Sequence, residues 1–297
     1  MFRPVLYILL LLLLLSRTVI AQAQPDTASV SKPRLIAAGA TFAVGYTAVL
    51  VSLNNSWYTG ERTDFHFFND AREWRNVDKA GHFWGAFQQS RAGIDMLRWA
   101  GVPEQKAILL GGLTGILLQT PIELFDGYQP QYGASVSDLI ANTAGAAAVV
   151  GQQLAWHEIR LMPKFSFHKT RFAEARPNTL GSNFQEQLLK DYNGQTYWIS
   201  ADIGAFIKAE SKYPKWLNFA VGYGAEELVY NHTPANEAAG FYAHRQYYLS
   251  PDLNLMHFKG RSKALNTVLY ILSIIKIPAP ALEYNKIDGL KLHPLYF

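Results

Sequence analysis

The sequence predicts a mainly α protein. Residues 33–160 read as an antiparallel helical bundle of Gly/Ala-rich helices, and residues 161–297 as an α+β extension of mixed helix and strand with a short β-hairpin. Three observations carry this. Four apolar stretches of helical length between Leu35 and Trp156 are joined by short polar or Gly/Pro-rich connections, and short connections imply antiparallel neighbours. Those stretches carry small residues at Gly81, Gly85, Gly111, Gly115 and Gly145, which allow helices to approach closely. Acidic and imidazole side chains gather at the helix ends, where burial is costly unless they pair, bind something or react.

Composition narrows the class. The chain is 49% hydrophobic and only 17% charged, where a soluble globular chain carries roughly 25% charged residues. That deficit points to a membrane-associated protein, while a mean hydropathy of -0.02 is too low for a chain made mostly of spanning helices. The net charge of +4 comes from scattered Lys and Arg without a nucleic-acid motif, which argues against nucleic acid as a partner. A basic surface facing anionic lipid headgroups explains it equally well. The absence of cysteine excludes disulfides, thiolate metal sites, a Cys nucleophile and a thioether-linked lipid.

Residues 1–23 have the parts of a secretory signal: Arg3, an apolar core from Val5 to Leu15, and small residues at Val19, Ala21 and Ala23 for a signal peptidase to read. The exported chain then begins near Gln22 or Gln24 and works in the periplasm, associated with a membrane. Leu35 to Leu53 is uncharged, at the lower limit of the roughly 20 residues that span a bilayer. The segment Asn54–Arg75 holds Trp57, Tyr58, Phe65, His66, Phe67, Phe68 and Trp74, and suits a water–lipid boundary or a lid.

Val77–Trp99 is the second predicted helix. Asp78 sits at its positive end, and His82 lies four residues on, on the same face. Pro103 opens a third helix that runs to Phe125, with a kink expected at Pro121 just before Glu123 and Asp126. Ser135 reads as the N-cap of a fourth helix, with Asp138 three residues later and Asn142 on the same face. Beyond Pro163, the runs Gln195–Ile207, Tyr213–Tyr230 and Arg245–Phe258 mix aromatic and aliphatic residues, and helix and strand periodicities compete in them. Lys263–Ile275 reads as a helix. Asp288-Gly289 is a two-residue hairpin signal. The final Tyr296-Phe297 is similar to the end of an outer-membrane barrel strand, but the regular strands are too few for a barrel.

Alternation of the helices brings Asp78, Lys79, His82, Glu123, Asp126, Ser135, Asp138 and Asn142 to one end of the bundle. The cluster supports two functions. As a structural polar network or ligand site it fixes the register of Gly-rich helices, with Lys79 neutralising a carboxylate and Asn142 bridging. Alternatively, His82, Glu123, Asp126 and Asp138 act as acid and base in a hydrolase working on a lipid or cell-wall precursor. A divalent metal is a possible cofactor of either, held by Asp78, His82, Glu123, Asp126 and Asp138. No phosphate-binding Gly-rich loop, Gly-x-Ser-x-Gly or His-Glu-x-x-His occurs, which disfavours ATP use, a serine hydrolase elbow and a zincin.

The order Asp78-Lys79-x-x-His82-Phe83 with Gly85, Glu123-x-x-Asp126, then Ser135-x-x-Asp138-Leu139 with Asn142 and Gly145 resembles the YfiM-like periplasmic lipoproteins, a family of unknown function. The match spans Asn76 to Gly151. A more distant resemblance joins it to the VanZ-like membrane proteins, but Asp126 stands where those have Gln, and their Arg is missing. The resemblance implies an exported, membrane-associated helical domain with a shared polar site. Membrane lipid and an envelope protein are the partners expected of such a chain. Lipoprotein status does not carry over to a sequence without cysteine.

Overall fold

A computed structural model describes residues 30–58, 61–208, 210–258 and 260–297; the signal segment 1–23 lies outside them. In chain order the main elements are α1 (Lys32–Trp57), β1 (Phe67–Phe68), α2 (Val77–Trp99), α3 (Glu104–Gly112), α4 (Thr114–Asp126), β2 (Ala134–Ser135), α5 (Val136–Trp156) and β3 (Leu161–Phe167). There follow α6 (Pro177–Leu180), α7 (Phe184–Lys190), β4 (Gln195–Ala201), β5 (Leu217–Glu226), α8 (Thr233–Ala238), β6 (His244–Leu253), α9 (Lys263–Leu272), β7 (Ala279–Asn285) and β8 (Gly289–Tyr296). The chain divides into two units. One holds residues up to Asn69 with Gly85–Ile159 and Lys259–Ile271; the other holds Asp70–Trp84, Arg160–Phe258 and Leu272–Phe297.

The first unit is helical. Its helices approach closely because the glycines permit it: a Cβ on Gly115 would lie 2.1 Å from the Ala86 carbonyl oxygen, and one on Gly111 would lie 2.4 Å from the Ile94 nitrogen. The predicted third helix is two helices, α3 and α4, parted at Leu113, and Pro121 sits inside α4. The double glycine before Leu113 makes this the weakest point of the helix. Ser90 of α2 answers the break, since its hydroxyl donates to the Gly112 carbonyl at 2.6 Å and accepts the Gly115 N–H at 3.0 Å. Helix α1 is tied by Ser31 N–H to the Ala100 carbonyl at 2.9 Å, by Arg34 to Trp99 and by the Tyr46 hydroxyl to Leu118. By length and composition, Lys32–Val51 and Glu104–Asp126 are long enough to cross a membrane.

The second unit overturns the expected fold class. Residues 161–297 carry a six-stranded antiparallel sheet in the order β3-β4-β5-β6-β7-β8, so the protein is not a helical bundle with a minor hairpin. The reason the sequence misleads lies in β5, Leu-Asn-Phe-Ala-Val-Gly-Tyr-Gly-Ala-Glu. From Leu217 to Gly224 its buried positions are Asn218, Ala220, Gly222 and Gly224, while Phe219 and Val221 are exposed; Ala225, also buried, ends the alternation. The alternation has period two but inverted polarity, so no apolar stripe marks the inner face.

Trp198, Ala220, Tyr248, Ala281 and Tyr296, one from each of β4 to β8, meet in the sheet's inner core. Polar networks surround it. Lys164 Nζ pairs with Asp252 at 2.6 Å, both fully buried, and Ser200 donates to the same carboxylate at 2.6 Å. Glu283 accepts from Gln246 at 3.0 Å and from Asn285 at 2.7 Å, with the His293 ring at 2.6 Å. Phe165 of β3 bonds to Ile274 and Lys276, which supports the outer edge of that strand. The hairpin at β7–β8 forms as expected, but its loop is the three residues 286–288 between the Asn285–Gly289 pair. The Asn285 side chain accepts the N–H groups of Ile287 and Asp288 there, and Gly289 takes a φ of +71°.

Candidate functional site

The Gly127–Ser135 connection is fixed before α5 begins. Strand β1 pairs in parallel with β2, Phe67 against Ala134 and Phe68 against Ser135, and the His66 ring sits 3.0 Å from the Tyr132 carbonyl. Ser135 then works at two atoms. Its backbone N–H donates to Glu123 Oε2 at 3.0 Å, and its hydroxyl accepts the Asp138 N–H at 3.0 Å while contacting the Ser137 hydroxyl at 3.0 Å. The cap read from the sequence is thus present, and the same residue latches the end of α4 to the start of α5.

Glu123, Asp138 and Asn142 are 2%, 6% and 1% exposed. The carboxylate oxygens of Glu123 and Asp138 approach within 4.8 Å of one another. Asp138 lies in the first turn of α5, where the helix dipole favours negative charge. Asp126 is engaged separately: the Tyr58 hydroxyl donates to its Oδ1 at 2.8 Å. Burial and that carboxylate hold the Tyr58 phenol far above its usual range. Among the site residues of the helical unit, the structure therefore brings together Glu123, Ser135 and Asp138, and gives Asp126 a tyrosine partner that the sequence did not reveal.

The remaining candidates belong to the opening turns of α2 in the second unit. Lys79 Nζ binds Asp70 Oδ2 at 2.5 Å and Asp78 Oδ2 at 2.7 Å, and the two carboxylates approach within 4.8 Å of each other. The lysine neutralises a pair where the sequence suggested one partner, the second being Asp70 on the irregular segment before the helix. Three successive left-handed residues, Trp74, Arg75 and Asn76 (φ 45°, 52° and 67°), set the entry angle of the helix. Trp74 N–H to the Asn231 carbonyl, Arg75 to the Ala243 carbonyl, the Tyr223 hydroxyl to the Arg75 carbonyl and Arg245 to Asn76 hold them there. Such conformations persist only where surrounding bonds over-determine them. His82 follows, half-buried one turn after Asp78.

This is a module defined by buried, latched carboxylates on close-packed helices, in a chain with export features. Residues 64–152 match the model of a family described as predicted periplasmic lipoprotein (DUF2279). The match covers both acidic clusters and bears out the resemblance drawn from their motifs; the VanZ-like resemblance gains no support. The match supports an exported protein, periplasmic and membrane-associated. The thioether-linked lipid of a lipoprotein has no acceptor among these residues, since cysteine is absent. No curated protein and no solved structure matches the chain.

Proposed function

We propose that this envelope protein carries, in its family-matched module, a divalent-cation site centred on Glu123 and Asp138. The observation that carries the reading is the approach of two buried carboxylates within 4.8 Å. Like charges so close, out of water, need a shared proton or a cation between them. Oxygen donors of this kind suit a hard divalent ion.

Asp126, held by the Tyr58 hydroxyl at 2.8 Å, stands outside this pair.

Metal analysis of the purified chain, with chelation and thermal melts of wild type, Glu123→Gln and Asp138→Asn, tests this. The expected result is a stoichiometric divalent metal whose removal lowers the melting temperature, with metal lost from both variants while their secondary structure is kept. Wild type that never holds metal and does not respond to chelator overturns the site and leaves a polar network that only fixes the helices.

A further inference from the structure

The sheet of the second unit is built with its polarity reversed. Its inner face holds Lys164, Asp252, Glu283, Gln246, Ser200 and Asn218, all buried. The outward positions of β5 to β8 hold no carboxylate and a single charge, Arg245. An ordinary one-sided sheet buries its apolar face and shows water the polar one. Here water is shown the apolar face, with Leu290 and Leu292 each 70% exposed.

The apolar face is ordered in rows. Tyr247 and Tyr284 stand opposite one another and exposed, with Tyr223 beside Tyr247 half-buried against Val77, Ala225 and Leu228, and two residues further along Val221, Leu249, Leu282 and Leu292 form the next row. Phe219 and Leu217 continue β5 to the exposed Trp216. The span from Tyr223 to Leu217 is roughly 20 Å at about 3.3 Å per residue, close to the height of the apolar band on outer-membrane-type strands, which aromatic residues flank at the interfaces. Exposed cations lie beyond both ends: Arg245 and Lys286 beside the tyrosine row and its hairpin, Lys212 and Lys215 before Trp216. That charge distribution complements anionic headgroups on either side of an apolar layer.

We propose that the outward face of β5–β8 is a lipid-contacting surface that sinks into the hydrocarbon of a bilayer, with the tyrosine row and the flanking cations at the headgroup level. It concerns a different part of the chain from the Glu123–Asp138 site. A second copy of this chain is the competing occupant.

The chain has no cysteine, so Leu249→Cys, Leu292→Cys and Lys286→Cys each accept one environment-sensitive NBD label. Labelled full-length protein is mixed with vesicles of phosphatidylethanolamine and phosphatidylglycerol and floated on a density gradient. The labels at 249 and 292 are expected to shift to the blue, brighten several-fold and be quenched by nitroxides in the acyl chains. The label at 286 is expected to be quenched by headgroup nitroxides instead. Leu249→Asp with Leu282→Asp, checked for folding by circular dichroism, is expected to lower flotation several-fold. Glu123→Gln is expected to leave every label unchanged, which separates this surface from the cation site. Failure to float, flotation with the 249 and 292 labels still in water, or a lipid-independent blue shift that grows with protein concentration overturns the proposal, the last in favour of self-association.

Discussion

At the scale of single residues, Ser135 and Gly115 carry consequences out of proportion to their size. Ser135→Ala removes the acceptor for the Asp138 N–H but keeps the backbone bond to Glu123. An N-cap of this kind is worth about 1 kcal/mol, and chemical denaturation is expected to show a loss of that order with the metal content unchanged. Gly115→Val places a Cβ 2.1 Å from the Ala86 carbonyl and 2.6 Å from the Ser90 hydroxyl. Overpacking costs about 1–3 kcal/mol where neighbours can move, and here one of them is backbone. The expected outcome is a lowered melting temperature together with loss of the Ser90 bridge, readable as faster amide exchange at Gly115. Lys276 supplies a pH-dependent term: burial pushes its ammonium down to about 8, against the pull of Asp252. The folded pKa lies below the ordinary 10.5, so the unfolded chain binds this proton more tightly. The destabilisation is full below about pH 8 and fades as pH rises towards 10.5. The unfolding midpoint is expected to rise from neutral to mildly alkaline pH, and Lys276→Met to flatten that rise.

At the scale of elements, legibility followed the type of signal. Helix α2 runs over Val77–Trp99 and α5 starts after the Ser135 cap, both as read, because a cap and an acidic first turn are local chemistry. Asp138 came from the same cap, whereas Glu123 came from its position after Pro121 and its three-residue spacing to Asp126. The break at Leu113 was not legible, since proline is the stronger local breaker in sequence, yet Pro121 lies within α4 and the chain parts after the Gly111-Gly112 pair. The partner of Asp126 was not legible, since Tyr58 is distant in sequence and its segment read only as aromatic. The β7–β8 hairpin was legible from Asp288-Gly289, but its loop is a residue longer because the Asn285 side chain closes the turn. Strands β4 to β6 were ambiguous because their inner faces mix Trp198 and Tyr248 with small and polar residues, while apolar residues also stand on the outer face.

At the scale of the whole molecule, a helical unit and an antiparallel sheet replace the expected bundle, and the two hold their interiors by different means. The helical unit relies on close backbone approach at glycines. The sheet closes over buried ion pairs and an aromatic cluster, in which Tyr248 and Tyr296 lie with ring centroids 4.5 Å apart. Breaking one member of such a buried charged network is strongly destabilising, so the sheet depends on several long-range partners being present together.

That dependence sets a clock on the folding of the sheet. The Thr196 hydroxyl meets the Tyr296 hydroxyl at 2.9 Å across a separation of 100 residues. At about 5–20 residues per second, the partner that completes the core emerges roughly 5–20 s after Thr196 is made. For that interval the sheet lacks the strand that completes its core.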